Sequence, residues 1–96
     1  MKPLQPQQPQ QQDQHPALVI IECIHGQIYA GNTLAEAVGR WREDSPHIRA
    51  RTRRQWMDGI ARRTLAWNKM HVRTDSLEHF CDDLTMAGQI VVRRAH

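Results

Sequence analysis

Residues 46–72 constrain the fold of this chain most, because they concentrate arginine and two of the three tryptophans. On a helix, successive side chains turn by about 100°. One side of such a helix receives Trp56, Ile60 and Trp67, with Met57, Thr64 and Met70 at its edges. The other side receives Arg51, Arg54, Gln55, Asp58, Arg62 and Lys69. Burial of the indoles offsets the loss of chain entropy while the guanidinium groups stay solvated, so the pattern predicts an amphipathic helix with a basic outer face.

The ends and the middle of this helix are set by a few residues. Ser45 before Pro46 predicts a start there, since a serine hydroxyl caps free N–H groups and proline suits the first helical position. Gly59 lies in the interior, where glycine costs about 1 kcal/mol relative to alanine. Two shorter helices broken near Gly59, or one helix with a close packing contact at Gly59, both agree with the sequence.

Two strands are predicted before this stretch and one after it. Residues 17–24 are rich in β-branched side chains, and His25-Gly26 before residues 27–30 predicts a two-residue hairpin turn with glycine at positive φ. Residues 89–94 alternate weakly around three β-branched side chains and predict a last strand that joins the hairpin.

Two further helices complete the order ββαααβ. Thr33 and Glu36 form a capping box pattern before a helix whose inward residues are Leu34, Val38 and Trp41. Residues 75–78 repeat the pattern before a helix with a stripe of Leu77, Phe80, Cys81 and Leu84, and Gly88 ends it. The predicted class is α+β: a small single domain with a short antiparallel sheet and three helices packed on one face.

Composition divides the chain into a tail and one domain. Residues 1–16 are rich in glutamine and proline and too polar to fold, so we expect a disordered tail followed by a domain at 17–96. The two cysteines are too few for a disulfide scaffold, and the N-terminus lacks the apolar run of a secretory signal. The longest apolar run, residues 17–21, is far shorter than the ~20 residues of a membrane span. We therefore expect a cytoplasmic protein.

Charge is distributed unevenly along the chain. The net charge is +3, but residues 40–73 contain ten Lys or Arg against Glu43, Asp44 and Asp58, whereas residues 75–83 contain four acids and no base. Such asymmetry indicates either an anionic partner or a solvated helix face beside an acidic neighbour. Arginine outnumbers lysine by eleven to two, which favours planar, bidentate recognition of phosphate or carboxylate.

Two short segments resemble known modules. The residues Leu34-Ala-Glu-Ala-Val-Gly39 resemble the opening of helix-turn-helix domains, although Ser45 stands where that family places an apolar residue. We favour an ordinary capped helix of the core. The residues Gly31-Asn-Thr-Leu-Ala-Glu-Ala37 resemble the strand-to-helix junction of HicB-type antitoxin domains, which implies an antitoxin function as one interpretation.

Metal and catalytic sites are not predicted. The pairs Cys23/His25 and His79/Cys81 supply the ligand count of a zinc site, but positions 79 and 81 diverge by about 200° on a helix and cannot hold one ion. The sequence also lacks a recognisable nucleophile, phosphate-loop or paired-acid motif. We therefore expect no metal, no cofactor and no enzymatic activity.

The expected function is a small regulatory protein that binds nucleic acid, with duplex DNA preferred, through its arginine-rich helix. The candidate contacts are Arg49, Arg51, Arg53, Arg54, Arg62, Arg63, Lys69 and Arg73, because arginine contacts phosphates and reads guanine edges. Stacking on single strands is not expected, since periodicity places most aromatic residues inside. The alternative is an adaptor, inhibitor or antitoxin that docks the same helix on an acidic protein. The sequence does not separate the two partners or determine whether the chain is a dimer.

Overall fold

The computed structural model describes residues 18–45 and 52–95. Its elements follow the predicted order, as β1 (Leu18–Cys23), β2 (Ile28–Gly31), α1 (Leu34–Glu43), α2 (Arg53–Asn68), α3 (Leu77–Met86) and β3 (Ile90–Ala95). Strand β1 lies at the centre of a three-stranded antiparallel sheet of order β2-β1-β3. The predicted α+β class is therefore confirmed. The predicted disordered tail, residues 1–16, lies outside the described residues.

The sheet has one covered and one open face, because side chains alternate along a strand. Val19 and Ile21 of β1 are buried under the helices, together with Ile90 of β3. The open face carries the exposed apolar residues Leu18, Ile28 and Val91, and an ion pair in which Arg93 Nε lies 2.8 Å from Glu22 Oε2.

The hairpin turn is one residue longer than predicted. The backbone N–H of Cys23 donates to the Gln27 carbonyl at 2.8 Å, so Ile24, His25 and Gly26 form the connection. Gly26 takes φ +98°, as expected for glycine at this position. A turn followed by one left-handed residue is a common three-residue hairpin loop, and Ile24 occupies its first position.

Helices α1 and α3 are capped nearly as predicted. Thr33 Oγ1 accepts the Glu36 N–H at 3.1 Å, but the Glu36 carboxylate reaches one residue further back, to the Asn32 N–H at 2.6 Å. For α3 the cap is Ser76, which accepts the His79 N–H at 3.1 Å. Gly88, at φ +76°, ends α3 in a Schellman motif whose bonds run from residue 88 to 85 and from 89 to 84.

Three aromatic rings, one from each helix, join the helices to one another. The rings of Trp41 in α1 and Trp56 in α2 meet edge to face with centroids 4.8 Å apart, and Phe80 in α3 lies 5.9 Å from Trp56 and 6.2 Å from Trp41. Phe80 is fully buried, and it continues into Leu84, Val38 and the covered face of the sheet. We refer to Trp41, Trp56 and Phe80 as the aromatic cluster.

The predicted start of α2 at Ser45-Pro46 is wrong. The helix begins at Arg53, where Thr52 and Gln55 form a reciprocal capping box with bonds of 3.1 and 3.0 Å. The Ser45 hydroxyl instead accepts the Trp56 indole N–H at 3.1 Å and donates to the Trp41 carbonyl at 3.0 Å. Ser45 thus accepts a hydrogen bond from the indole N–H of Trp56, and Thr52 caps α2 in its place.

The predicted burial of Trp67 is also wrong, whereas that of Trp56 is confirmed. Trp56 is 6% exposed and Trp67 is 83% exposed. Both lie on the same side of α2, but α2 has sixteen residues whereas α1 and α3 have ten each. At about 1.5 Å per residue, α2 is roughly 9 Å longer than the helices against which it packs. Its last turn contacts the end of α3 through Asn68, whose amide donates to the Ala87 carbonyl at 3.4 Å, while the Trp67 side chain stands in solvent.

Helix α2 runs through Gly59 without a break, which decides between the two alternatives left by the sequence in favour of one helix. No close packing contact explains the glycine, because a Cβ built there would meet only the Arg62 guanidinium, at 4.0 Å. Among the described residues, none of the helices combines the length and the apolar character needed to cross a membrane.

We predict that Gly59→Ala raises the free energy of unfolding by about 1 kcal/mol, since alanine removes the entropic cost of glycine in a helix interior and meets open space. Urea unfolding followed by circular dichroism measures this. Gly88→Ala is the matched control and should lower the unfolding free energy by about 1 kcal/mol, because alanine at positive φ is strained. A loss of stability in Gly59→Ala would show that the helix needs a glycine there.

Candidate functional site

Four of the five described arginines among the predicted contacts fall at two levels of α2, and the fifth, Arg73, follows the helix. Arg53 and Arg54 occupy the first turn, and Arg62 and Arg63 lie nine residues further along. At about 1.5 Å per residue, the two pairs are roughly 13 Å apart along the helix axis. All four side chains are exposed. The structure thus arranges them as two separate basic positions on one rigid element, while Arg49 and Arg51 lie outside the described residues.

Three of the predicted contacts are already engaged within the chain. Arg73 makes a two-pronged ion pair with Asp83, at 2.9 and 3.0 Å, and its backbone N–H adds a third bond at 2.9 Å. Arg54 pairs with Asp58 at 3.3 Å on the exposed face of α2. Lys69 caps α2 at φ 61°, and its ammonium donates to the Ala66 carbonyl at 3.2 Å. Arg73 in particular is held as a structural group.

A groove of about 830 Å³ runs between α2 and the β1–β2 turn. We refer to it as the α2 groove. Its α2 wall is formed by Gly59, Arg62, Arg63, Ala66 and Trp67, and its opposite wall by Ile24, His25, Gln27 and Tyr29. Trp41, Trp56, Leu84 and Ile90 contribute to its floor. This volume lies within the range of about 300–1,000 Å³ that is typical of ligand sites.

The rim of the α2 groove combines apolar and basic side chains. Trp67 projects from α2, and Ile24, which is 60% exposed, faces the groove from the β1–β2 turn. Arg62 and Arg63 lie on the same wall as Trp67, and Asp44 is the acid at the end of α1. With two arginines against one aspartate, the described lining is positive. An anionic ligand with a flat apolar part is complementary to such a surface.

A hydrogen bond within the lining of this groove joins β2 to the residue that ends α1. The Tyr29 hydroxyl on β2 donates to the Asp44 carboxylate at 2.6 Å. Burial, followed by this bond and the negative charge of Asp44, raises the pKa of Tyr29 to about 12. Tyr29 therefore stays a neutral donor at physiological pH, and its hydroxyl occupies one oxygen of the Asp44 carboxylate.

The cysteines are not activated in the structure. Cys23 lines the α2 groove, and burial raises the pKa of its thiol. Burial also raises the pKa of Cys81 to about 12 within the core. A nucleophilic cysteine needs the opposite shift. Among residues 18–45 and 52–95, no group of three or more His, Cys, Asp or Glu is arranged to hold a metal ion. His79 instead contacts Asp75 at 3.0 Å.

Sequence reasoning missed the α2 groove and the exposure of Trp67. Helical periodicity correctly places Trp67 on the same side of α2 as Trp56. It does not show whether another element covers that side of the helix at the height of Trp67. The signal that was available is Trp67's position next to Asn68 and Lys69, the polar end of α2.

Comparison with protein-family models, with curated protein sequences and with solved structures gives no match.

We predict unequal stability effects for the two tryptophans of α2. Trp56→Ala should lower the free energy of unfolding by about 3–5 kcal/mol, because it empties the centre of the aromatic cluster. Trp67→Ala should change it by no more than about 0.5 kcal/mol, since the side chain is almost fully exposed. Urea unfolding monitored by far-ultraviolet circular dichroism compares them. Similar losses in both variants would contradict the exposed placement of Trp67.

The Asp83–Arg73 pair predicts a loss of stability in acid. Hydrogen bonds from the Arg73 guanidinium and then from its backbone N–H lower the pKa of Asp83 from 3.8 to about 2. Because the folded pKa is the lower one, the pair stabilises the fold above the unfolded pKa, and that contribution is lost as pH falls from 3.8 toward 2. Urea unfolding of wild type and Asp83→Asn should differ near neutral pH and converge near pH 2.

Asp82→Asn is the matched control, since Asp82 is an exposed neighbour that does not bond Arg73. It should leave most of the acid dependence in place. An Asp83→Asn variant with the same pH dependence as wild type would contradict a contribution from this pair.

Proposed function

We propose that this chain is a small non-enzymatic protein that binds nucleic acid through α2, with duplex DNA as its first candidate ligand. One observation supports the proposal above the others: four exposed arginines lie on a single helix that is anchored to the core by Trp56 and Met57. Within residues 18–45 and 52–95, the ion pairs do not include Arg53, Arg62 or Arg63. These guanidinium groups remain available for an external anion.

The geometry suits a polymer of phosphates better than a single small anion. Arg54 and Arg62, eight residues apart, emerge about 80° from each other around α2 and roughly 12 Å apart along its axis. This face can therefore meet several phosphates of a duplex, which presents one about every 3.4 Å along each strand. Neutralising phosphates releases counterions, which supplies sequence-independent affinity. Arginine adds a planar fork that bonds two phosphate oxygens or a guanine edge.

An acidic protein surface would contact the same arginines, but α2 exposes little apolar surface for the centre of a protein interface. A stable protein interface of ~1,600 Å² has a desolvated apolar centre surrounded by polar residues. On the outer face of α2, the exposed apolar side chain is Leu65, which is 38% accessible. Leu65 and the exposed Trp67, which lies on the groove side of α2, together provide little area for such a centre, so nucleic acid is the better supported partner.

We predict that binding to a labelled DNA duplex weakens with salt, and that log affinity falls against log salt by about 0.9 for each phosphate neutralised. Changing Arg62 and Arg63 together to glutamine should weaken binding and reduce the slope by about one to two units. Fluorescence anisotropy across a salt series measures both quantities.

The matched control changes Arg40 and Arg94 to glutamine. These two arginines are exposed, belong to α1 and β3, and do not line the α2 groove. The control variant has the same net charge as the α2 variant and should keep most of the affinity. Equal losses in the two variants would show that only net charge matters, and no binding of wild type at low salt would refute nucleic-acid binding.

A further inference from the structure

The α2 wall of the groove combines an indole that is 83% exposed with two arginines. Trp67 and Arg63 are four residues apart on α2, so their side chains emerge as neighbours on the same side of the helix. Arg62 lines the same wall. Leaving a tryptophan side chain in water is costly, so an exposed tryptophan often marks a binding surface. Trp67 is exposed in the lining of a groove.

We infer that the α2 groove binds an unpaired segment of nucleic acid, in which a base stacks on Trp67 and the adjoining phosphates contact Arg62 and Arg63. The inference rests on the proposed function and names the form of nucleic acid that this site takes. It concerns the groove side of α2, whereas the duplex contacts proposed above also use Arg53 and Arg54 on the first turn.

Stacking is the interaction that the exposed indole is suited to make. A base in a duplex already has both of its faces covered by its neighbours, so only an unpaired base can lie flat against Trp67. Every base has such a face, which makes the contact tolerant of sequence. Aromatic side chains beside a positive groove are the common arrangement in proteins that bind single strands.

The opposite wall supplies groups that suit the edge of a stacked base. His25 and Gln27 are exposed at the β1–β2 connection, both line the groove, and both carry side chains that can form hydrogen bonds. Ile24 adds an exposed apolar side chain to the lining. The wall is held in place by the bond between Tyr29 and Asp44 and by the pairing of β1 with β2, so a ligand would meet a formed surface.

Electrostatics at this end of α2 also permit an anion. The carboxyl end of a helix has a partial negative charge, which would repel phosphate near Trp67. Lys69 offsets it, because its ammonium bonds the Ala66 carbonyl in the last turn. Arg62 and Arg63 then dominate the local charge of the α2 wall.

The test compares three probes on the full chain: oligothymidylate of about 12 nucleotides, within the site sizes of single-strand binders, an abasic oligomer of the same length, and a duplex. The abasic oligomer keeps the phosphates and lacks the bases. Trp67→Ala should weaken oligothymidylate binding roughly 5- to 150-fold, the range expected for one lost stacking contact. It should leave duplex and abasic binding nearly unchanged, and Trp67→Phe should recover most of the affinity for oligothymidylate.

Leu65→Ala is the matched control, since Leu65 is an exposed apolar residue of the same helix that does not line the α2 groove. It should leave oligothymidylate binding unchanged. Quenching of tryptophan fluorescence by oligothymidylate, lost in Trp67→Ala and absent with the abasic oligomer, would locate the stacked base at Trp67.

The outcomes separate this inference from the proposed function. If the duplex binds with the expected dependence on Arg62 and Arg63, but Trp67→Ala binds oligothymidylate as tightly as wild type, the inference is wrong and the proposed function stands. If neither DNA form binds at low salt, the proposed function fails as well. If poly-glutamate of matched charge competes as well as oligothymidylate and is equally sensitive to Trp67→Ala, the groove takes an acidic peptide and the inference is overturned.

Discussion

The contact between Trp41, Trp56 and Phe80 is the interaction on which the rest of this structure depends. Each of the three helices contributes one ring, and Phe80 connects the rings to the covered face of the sheet. Aromatic pairs in offset or edge-to-face contact contribute about 0.5–1.5 kcal/mol beyond the area that they bury. In a domain this small, these contacts add to the burial of the apolar residues that surround them in the core.

The position of this cluster along α2 explains why the chain has a groove. Trp56 and Met57 anchor the first half of the helix, and Thr64 is the last buried residue before the C-terminal turn. Beyond Thr64, the last turn bonds the end of α3 through Asn68 and the Ala87 carbonyl, and its residues Ala66 and Trp67 line the α2 groove. The element that completes the core therefore also forms one wall of the candidate site.

Only the tertiary structure shows which arginines are paired with acids inside the fold and which can contact an external anion. Arg73 belongs to the basic segment in sequence, but Asp83 on α3 binds it through both its side chain and its backbone N–H. Arg93 is likewise paired with Glu22 across the sheet. Arg62 and Arg63 remain exposed beside Trp67. A run of positive charge thus overstates the number of cations that a partner meets.

The sequence by itself determined the order of elements, the sheet-forming segments, the inward stripe of α3 and the end of that helix at Gly88, because these depend on local periodicity and on backbone preferences. Only the tertiary structure decided that Ser45 serves the Trp56 indole instead of capping α2, that Arg73 is bound by Asp83, and that Trp67 stands in solvent. Helical periodicity specifies the angle at which a side chain leaves the helix. Whether another element covers a side chain at that angle and height depends on how α1, α2 and α3 pack against one another, which only the tertiary structure shows.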